Sequence, residues 1–88
     1  MATTTKPQKF TRLGLRILVY PNRVEIRQMI IWPVSKTTVL PANNISTVAI
    51  GAWSKRLEIT TNDGKTYKYA LGGFGKVQRC RDAIAALL

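Results

Sequence analysis

The chain reads as an α+β domain, mostly β, in which antiparallel hairpins are closed by one C-terminal helix. Three observations carry this. Apolar and polar residues alternate with period two in successive short segments from Thr11 to Leu71. Turn-forming pairs separate those segments, Asn62-Asp63-Gly64-Lys65 being the strongest. From Lys76 to Leu88 the period becomes helical. Such an order of elements fits a sheet with a packed helix, or a small barrel plugged by that helix.

The first expected strand runs from Thr11 to Tyr20. Leu13, Leu15, Ile17 and Val19 form its inward face, and Arg12, Gly14, Arg16, Leu18 and Tyr20 its outward one. Pro21-Asn22 is a tight turn. The next strand places Val24 and Ile26 inward and Arg23, Glu25 and Arg27 outward. Alternation then stops at Met29-Ile30-Ile31-Trp32, an apolar run ended by Pro33. Thr37 to Leu40 is a short β-branched strand. Pro41 to Asn44 makes a loop or a single helical turn. Ile45 to Ile50 is the next strand, and Gly51-Ala-Trp-Ser54 turns the chain. Lys55 to Thr61 alternates again, with Leu57 and Ile59 inward. The Asp63-Gly64 pair suits a primed two-residue turn, because both positions accept positive φ. Its partner strand, Thr66 to Leu71, puts Tyr67, Tyr69 and Leu71 on one face.

Gly72-Gly73-Phe74-Gly75 breaks the sheet, and it lacks the Lys-Ser/Thr of a phosphate-binding P-loop. In the helix, Val77, Cys80, Ile84 and Leu87 form a stripe widened by Ala83 and Leu88. Lys76, Gln78, Arg79, Arg81 and Asp82 fill the remainder. Six or seven strands and one helix therefore make a single domain over 11–88, preceded by a polar, basic arm over 1–10.

Composition limits the chemistry. The chain has 88 residues, no histidine, one cysteine and only four carboxylates, Glu25, Glu58, Asp63 and Asp82. A Ser-His-Asp triad, a His-based metal cluster and an internal disulfide are all excluded. Glu25 and Glu58 lie in arginine-bearing strands, where ion pairing is their expected role. Neither catalytic residues nor a cofactor or metal site is expected. No run approaches the ~18 apolar residues of a spanning helix, and the N-terminus has no apolar signal core. A cytoplasmic protein is the expectation, and an unpaired thiol agrees with a reducing compartment.

Three segments resemble the bacterial pleckstrin-homology-like domains. Arg16-Ile-Leu-Val-Tyr-Pro-Asn-Arg-Val-Glu-Ile26 is similar to their opening hairpin. Thr38-Val-Leu-Pro-Ala-Asn-Asn-Ile-Ser-Thr-Val48 is similar to their middle segment, and Leu57-Glu-Ile-Thr-Thr-Asn-Asp-Gly-Lys-Thr-Tyr67 to their late hairpin. The resemblance spans Leu13 to Leu88. It implies two roughly orthogonal antiparallel sheets in a partly open barrel, capped by the terminal helix. It implies a binding scaffold, not a particular ligand. Two departures limit the transfer. The helix lacks the Trp usual in the eukaryotic relatives. The tight Tyr20-Pro-Asn-Arg23 turn replaces their long basic loop, so no phosphoinositide pocket is carried over.

Charge is the main functional feature. Fourteen Lys and Arg against four acids give a formal charge of +10, a field that recruits anionic surfaces. Arg12, Arg16, Arg23 and Arg27 are expected to cluster on the first hairpin, and Lys55, Arg56, Lys65 and Lys68 on the late one. A second feature is apolar: Met29, Ile31 and Trp32 are either a buried strand or an interaction surface, and Trp53 is either a plug or an exposed anchor. Cys80 is expected to be a small buried hydrophobe. The sequence thus points to a non-enzymatic module presenting a basic surface and a sheet edge. Its partner would be a protein, a second copy of itself or an anionic membrane surface. The alternative is a small basic nucleic-acid binder.

Overall fold

A computed structural model describes residues 7–31 and 34–88. Among them, β1 (Gln8–Arg12), β2 (Leu15–Val19), β3 (Arg23–Ile31) and β4 (Val34–Pro41) form one antiparallel sheet in that order. A 3₁₀ turn (Ala42–Asn44) leads to β5 (Ile45–Ile50), β6 (Leu57–Thr61) and β7 (Thr66–Tyr69), a second antiparallel sheet. Helix α1 (Phe74–Ala85) follows. The two sheets share no hydrogen-bonded strand pair, so they do not close into a barrel.

The inward residues of both sheets meet the helix stripe in one core. Ile17, Val24, Leu57, Cys80 and Ile84 are completely buried there. α1 lies mainly against β5, which explains how so short a helix is held: Val77, Cys80, Ala83 and Ile84 sit at helical spacing on buried positions. Leu88, placed on the stripe by periodicity, is exposed because the helix has ended three residues earlier.

The expected strand from Thr11 to Tyr20 is in fact two strands. Leu13-Gly14 folds it, with Gly14 at φ +77°, a conformation that costs glycine nothing. Residues 8–10, assigned from sequence to the arm, belong to β1, and Phe10 enters the core. The fold also changes the phase. Arg12 stands opposite Leu15 in the register, so it shares the face of Phe10 and not that of Arg16. Leu13, expected inside, is fully exposed at the turn.

Two other turns depart from expectation. At Asn62-Asp63-Gly64 only Gly64 has positive φ (+89°), whereas a primed turn centred on Asp63-Gly64 needs it at Asp63 as well (type I′) or instead (type II′). The chain instead closes a three-residue loop, with Thr61 N–H donating to Lys65 O at 2.9 Å. Asp63 caps it by accepting from the Thr61 hydroxyl and from Lys65 N–H, and these bonds hold its carboxyl below the usual 3.8. At the other hairpin, β3 and β4 reach much further than expected. Their far end carries a bulge between Met29 and Ile31, beyond Leu15, the first residue of β2.

Candidate binding surface

The outward face of the four-stranded sheet is laid out in rows by the register. Lys9, Leu18, Glu25 and Val39 form one row across β1 to β4. Thr11, Arg16, Arg27 and Thr37 form the next. Arg16 and Arg27 are thus directly opposed on neighbouring strands, both exposed, with a threonine on either side. Like charges in this position repel and weaken the strand pairing. The two arginines border a shallow depression of about 270 Å³, which Thr11, Met29 and Ser35 also line.

The one carboxylate on this face among the described residues is shared between the two arginines of β3. Glu25 is half-buried and accepts from Arg23 Nε at 2.7 Å, while Arg27 Nη2 stands 4.0 Å away. Arg23 is held in place, since it also donates to Asn22 Oδ1 at 3.0 Å and lies 3.9 Å over the Tyr20 ring. Arg23 therefore clips the β2–β3 turn. Arg16 has no hydrogen bond or ion pair among the described residues. Its guanidinium donors, fixed in a planar fork, face solvent and suit a bidentate anion.

The remaining predicted cations group differently from the sequence reading. Arg12 reaches away from this face, donating to Ala70 O at 3.4 Å. It edges the Arg16–Arg27 depression and lines one further cavity with Leu13, Met29 and Lys68, and another with Ser54, Lys55 and Gly72. Lys76 Nζ donates to Thr11 O at 2.7 Å and ties the start of α1 to β1. Arg12, Lys55, Lys68 and Lys76 thus belong to one end of the molecule, where both sheets finish. Arg56 sits at that end too, its N–H bonded to Ser54 Oγ. Lys65 is at the opposite end, in the turn that Asn62 ties to Asn43 and Asn44.

Among the predicted apolar surface residues, Met29, Ile31 and Trp53 are exposed, at 49%, 71% and 97%. Trp32 lies outside the described residues. Ile30 and Val34 are exposed beside Met29 and Ile31 towards the end of the β3–β4 hairpin. Lys9, Thr11 and Ser35 also belong to this surface. Sequence reasoning missed Lys9 and Ser35 because it started the first strand too late and β4 too short, and Thr11 because the turn at Leu13-Gly14 reverses its phase. Cys80 is enclosed, and burial pushes its thiol up to about 12, so it offers no nucleophile. No group of three His, Cys, Asp or Glu able to hold a metal occurs among the described residues. No helix among them is long and apolar enough to cross a membrane.

Comparison with protein-family models, with curated proteins and with solved structures found no match.

Proposed function

We propose that the chain is a non-enzymatic, pleckstrin-homology-like binding module that uses the outward face of its four-stranded sheet to hold an anionic partner. The observation behind this reading is the opposed Arg16–Arg27 pair. It is a like-charge arrangement on an open surface, beside a depression lined with hydroxyls, and the nearest carboxylate, Glu25, bonds Arg23 at 2.7 Å and reaches Arg27 only at 4.0 Å, which leaves Arg16 without a carboxylate. An anion bridging the two guanidiniums would turn that repulsion into binding energy. The carboxylates support a non-enzymatic role. Glu25 serves an ion pair, Asp63 a turn, and Asp82 accepts from its neighbour Arg81. Glu58 stands opposite Lys68 on the other sheet.

Binding to heparin, a generic polyanion, tests the reading. The double variant Arg16→Glu/Arg27→Glu should bind at least about tenfold more weakly than the parent, and binding should weaken with added salt. Lys65→Glu, at the far end, is the control of smaller charge change. If two single reversals at Arg16 and Arg27 each weaken binding no more than Lys65→Glu does, the face is not the site.

The nucleic-acid alternative draws on the same charge but finds few stacking platforms. Tyr20 lies under Arg23, and Tyr67 and Tyr69 point into the core side of their sheet. Oligonucleotide binding with a steep salt dependence would favour it.

A further inference from the structure

We propose that the end of the molecule carrying the β3–β4 tip docks into the interfacial layer of an anionic lipid bilayer. This rests on the reading above that the basic face meets an anionic partner, and it names that partner. Six of the eight large apolar residues exposed among the described residues gather at this end: Leu13, Met29, Ile30, Ile31, Val34 and Trp53. They come from separate elements. The bulge sets Ile30 and Ile31 against Val34 at the tip. Gly14 O accepts from Met29 N–H at 2.8 Å, which brings the Leu13 turn alongside. Trp53 belongs to the β5–β6 loop, whose Ser54 and Lys55 share a cavity with Arg12.

None of these residues supports the core, so holding them in water has no structural return. Cations lie beside Met29 and Leu13 of this group. Arg12, Arg16, Arg27 and Lys68 line the two depressions that Met29 borders. An exposed apolar end flanked by cations matches the two layers of a membrane surface, acyl chains beneath and phosphates above. Two other occupants fit less well. A second copy would carry the same +10 charge and bring cations against cations. A nucleic acid would satisfy the cations and leave the aliphatic end wet.

The test combines vesicle sedimentation with heparin binding for the whole chain. The vesicles are phosphatidylcholine alone or mixed with phosphatidylglycerol. The parent should sediment with the mixed vesicles and not with phosphatidylcholine alone. The variant Ile30→Ser/Ile31→Ser changes two exposed side chains, so it should keep the parent's thermal unfolding. It should lose vesicle binding by at least about tenfold while keeping heparin binding. Undiminished vesicle binding by that variant would overturn the insertion. So would a parent that binds heparin or oligonucleotides but no vesicles, with the functional reading left standing. A parent that binds neither vesicles nor heparin would remove both proposals. A parent dimer that the Ile variant converts to monomer, without vesicle binding, would replace the bilayer with a second copy.

Discussion

Reversing the charge of Arg16 should make the domain more stable while making it bind anions less well. In the parent, Arg16 faces Arg27 across β2 and β3; no charge on its own strand offsets the repulsion, and Glu25, diagonal to it and 4.0 Å from Arg27, offsets only part. An opposite-charge cross-strand pair contributes roughly 0.2–1 kcal/mol, and a like-charge pair costs a similar amount. Arg16→Glu exchanges the second for the first. Two effects reduce the gain. Both positions are exposed, so solvent screens the pair. The new carboxylate also stands diagonal to Glu25, the register partner of Leu18, at roughly 7–8 Å. The net expectation is about 0.5 kcal/mol of added stability, or about 2–4 °C in Tm for a chain of this size. Thermal unfolding in low salt measures it. At about 1 M salt, where the screening length falls to about 3 Å, the difference should vanish. Heparin binding by the same variant should fall. A loss of more than about 1 kcal/mol in low salt would mean that Arg16 has a structural partner, and the reasoning would fail. An unchanged gain in high salt would show that the effect is not electrostatic.

Three further outcomes are expected. Leu57→Ala removes a fully buried side chain from the central strand of the second sheet, between Ile50 and Tyr69, and should cost about 3–4 kcal/mol in denaturant unfolding; a loss below about 1 kcal/mol would mean the site is not packed as described. The folded-state pKa of Asp63 is lowered, so its contribution is present above the usual 3.8 and disappears as pH falls through the folded value. NMR titration of the Asp63 carboxyl should show a midpoint below 3.8, and Thr61→Val should move it up; a midpoint at or above that value would contradict the cap. Cys80, enclosed and with its thiol near 12, should resist a thiol reagent at neutral pH until the protein unfolds. Rapid labelling of the native protein would show that α1 opens.

Much of the fold was legible because local patterns carried it. Val24 and Ile26, Leu57 and Ile59, and the stripe of Val77, Cys80 and Ile84 were readable as inward, since each periodicity has only one face to bury. The binding surface was legible only as a count of charges. Arg12 and Arg16 look equivalent in the sequence, four residues apart on one expected strand. A two-residue turn between them reverses the phase, and one goes to the open face while the other goes to the end of the sheets. Alternation cannot reveal such a turn when apolar residues occupy both sides of it. Leu18 makes the same point. It is outward by phase and outside the core, yet only 5% exposed, in the row between Lys9 and Glu25.

By itself, the sequence determined a β-rich domain with a terminal helix, a large positive charge, and a residue inventory with no histidine, one cysteine and four carboxylates, because periodicity, charge and composition are properties of the chain before it folds. Tertiary structure alone decided that Arg16 opposes Arg27, that Arg23 is consumed by Glu25 and Tyr20, and that Leu13, the Met29–Ile31 segment and Trp53 gather at one end in water. Register and sheet ends bring together residues far apart in sequence, and no local pattern encodes which of them will meet.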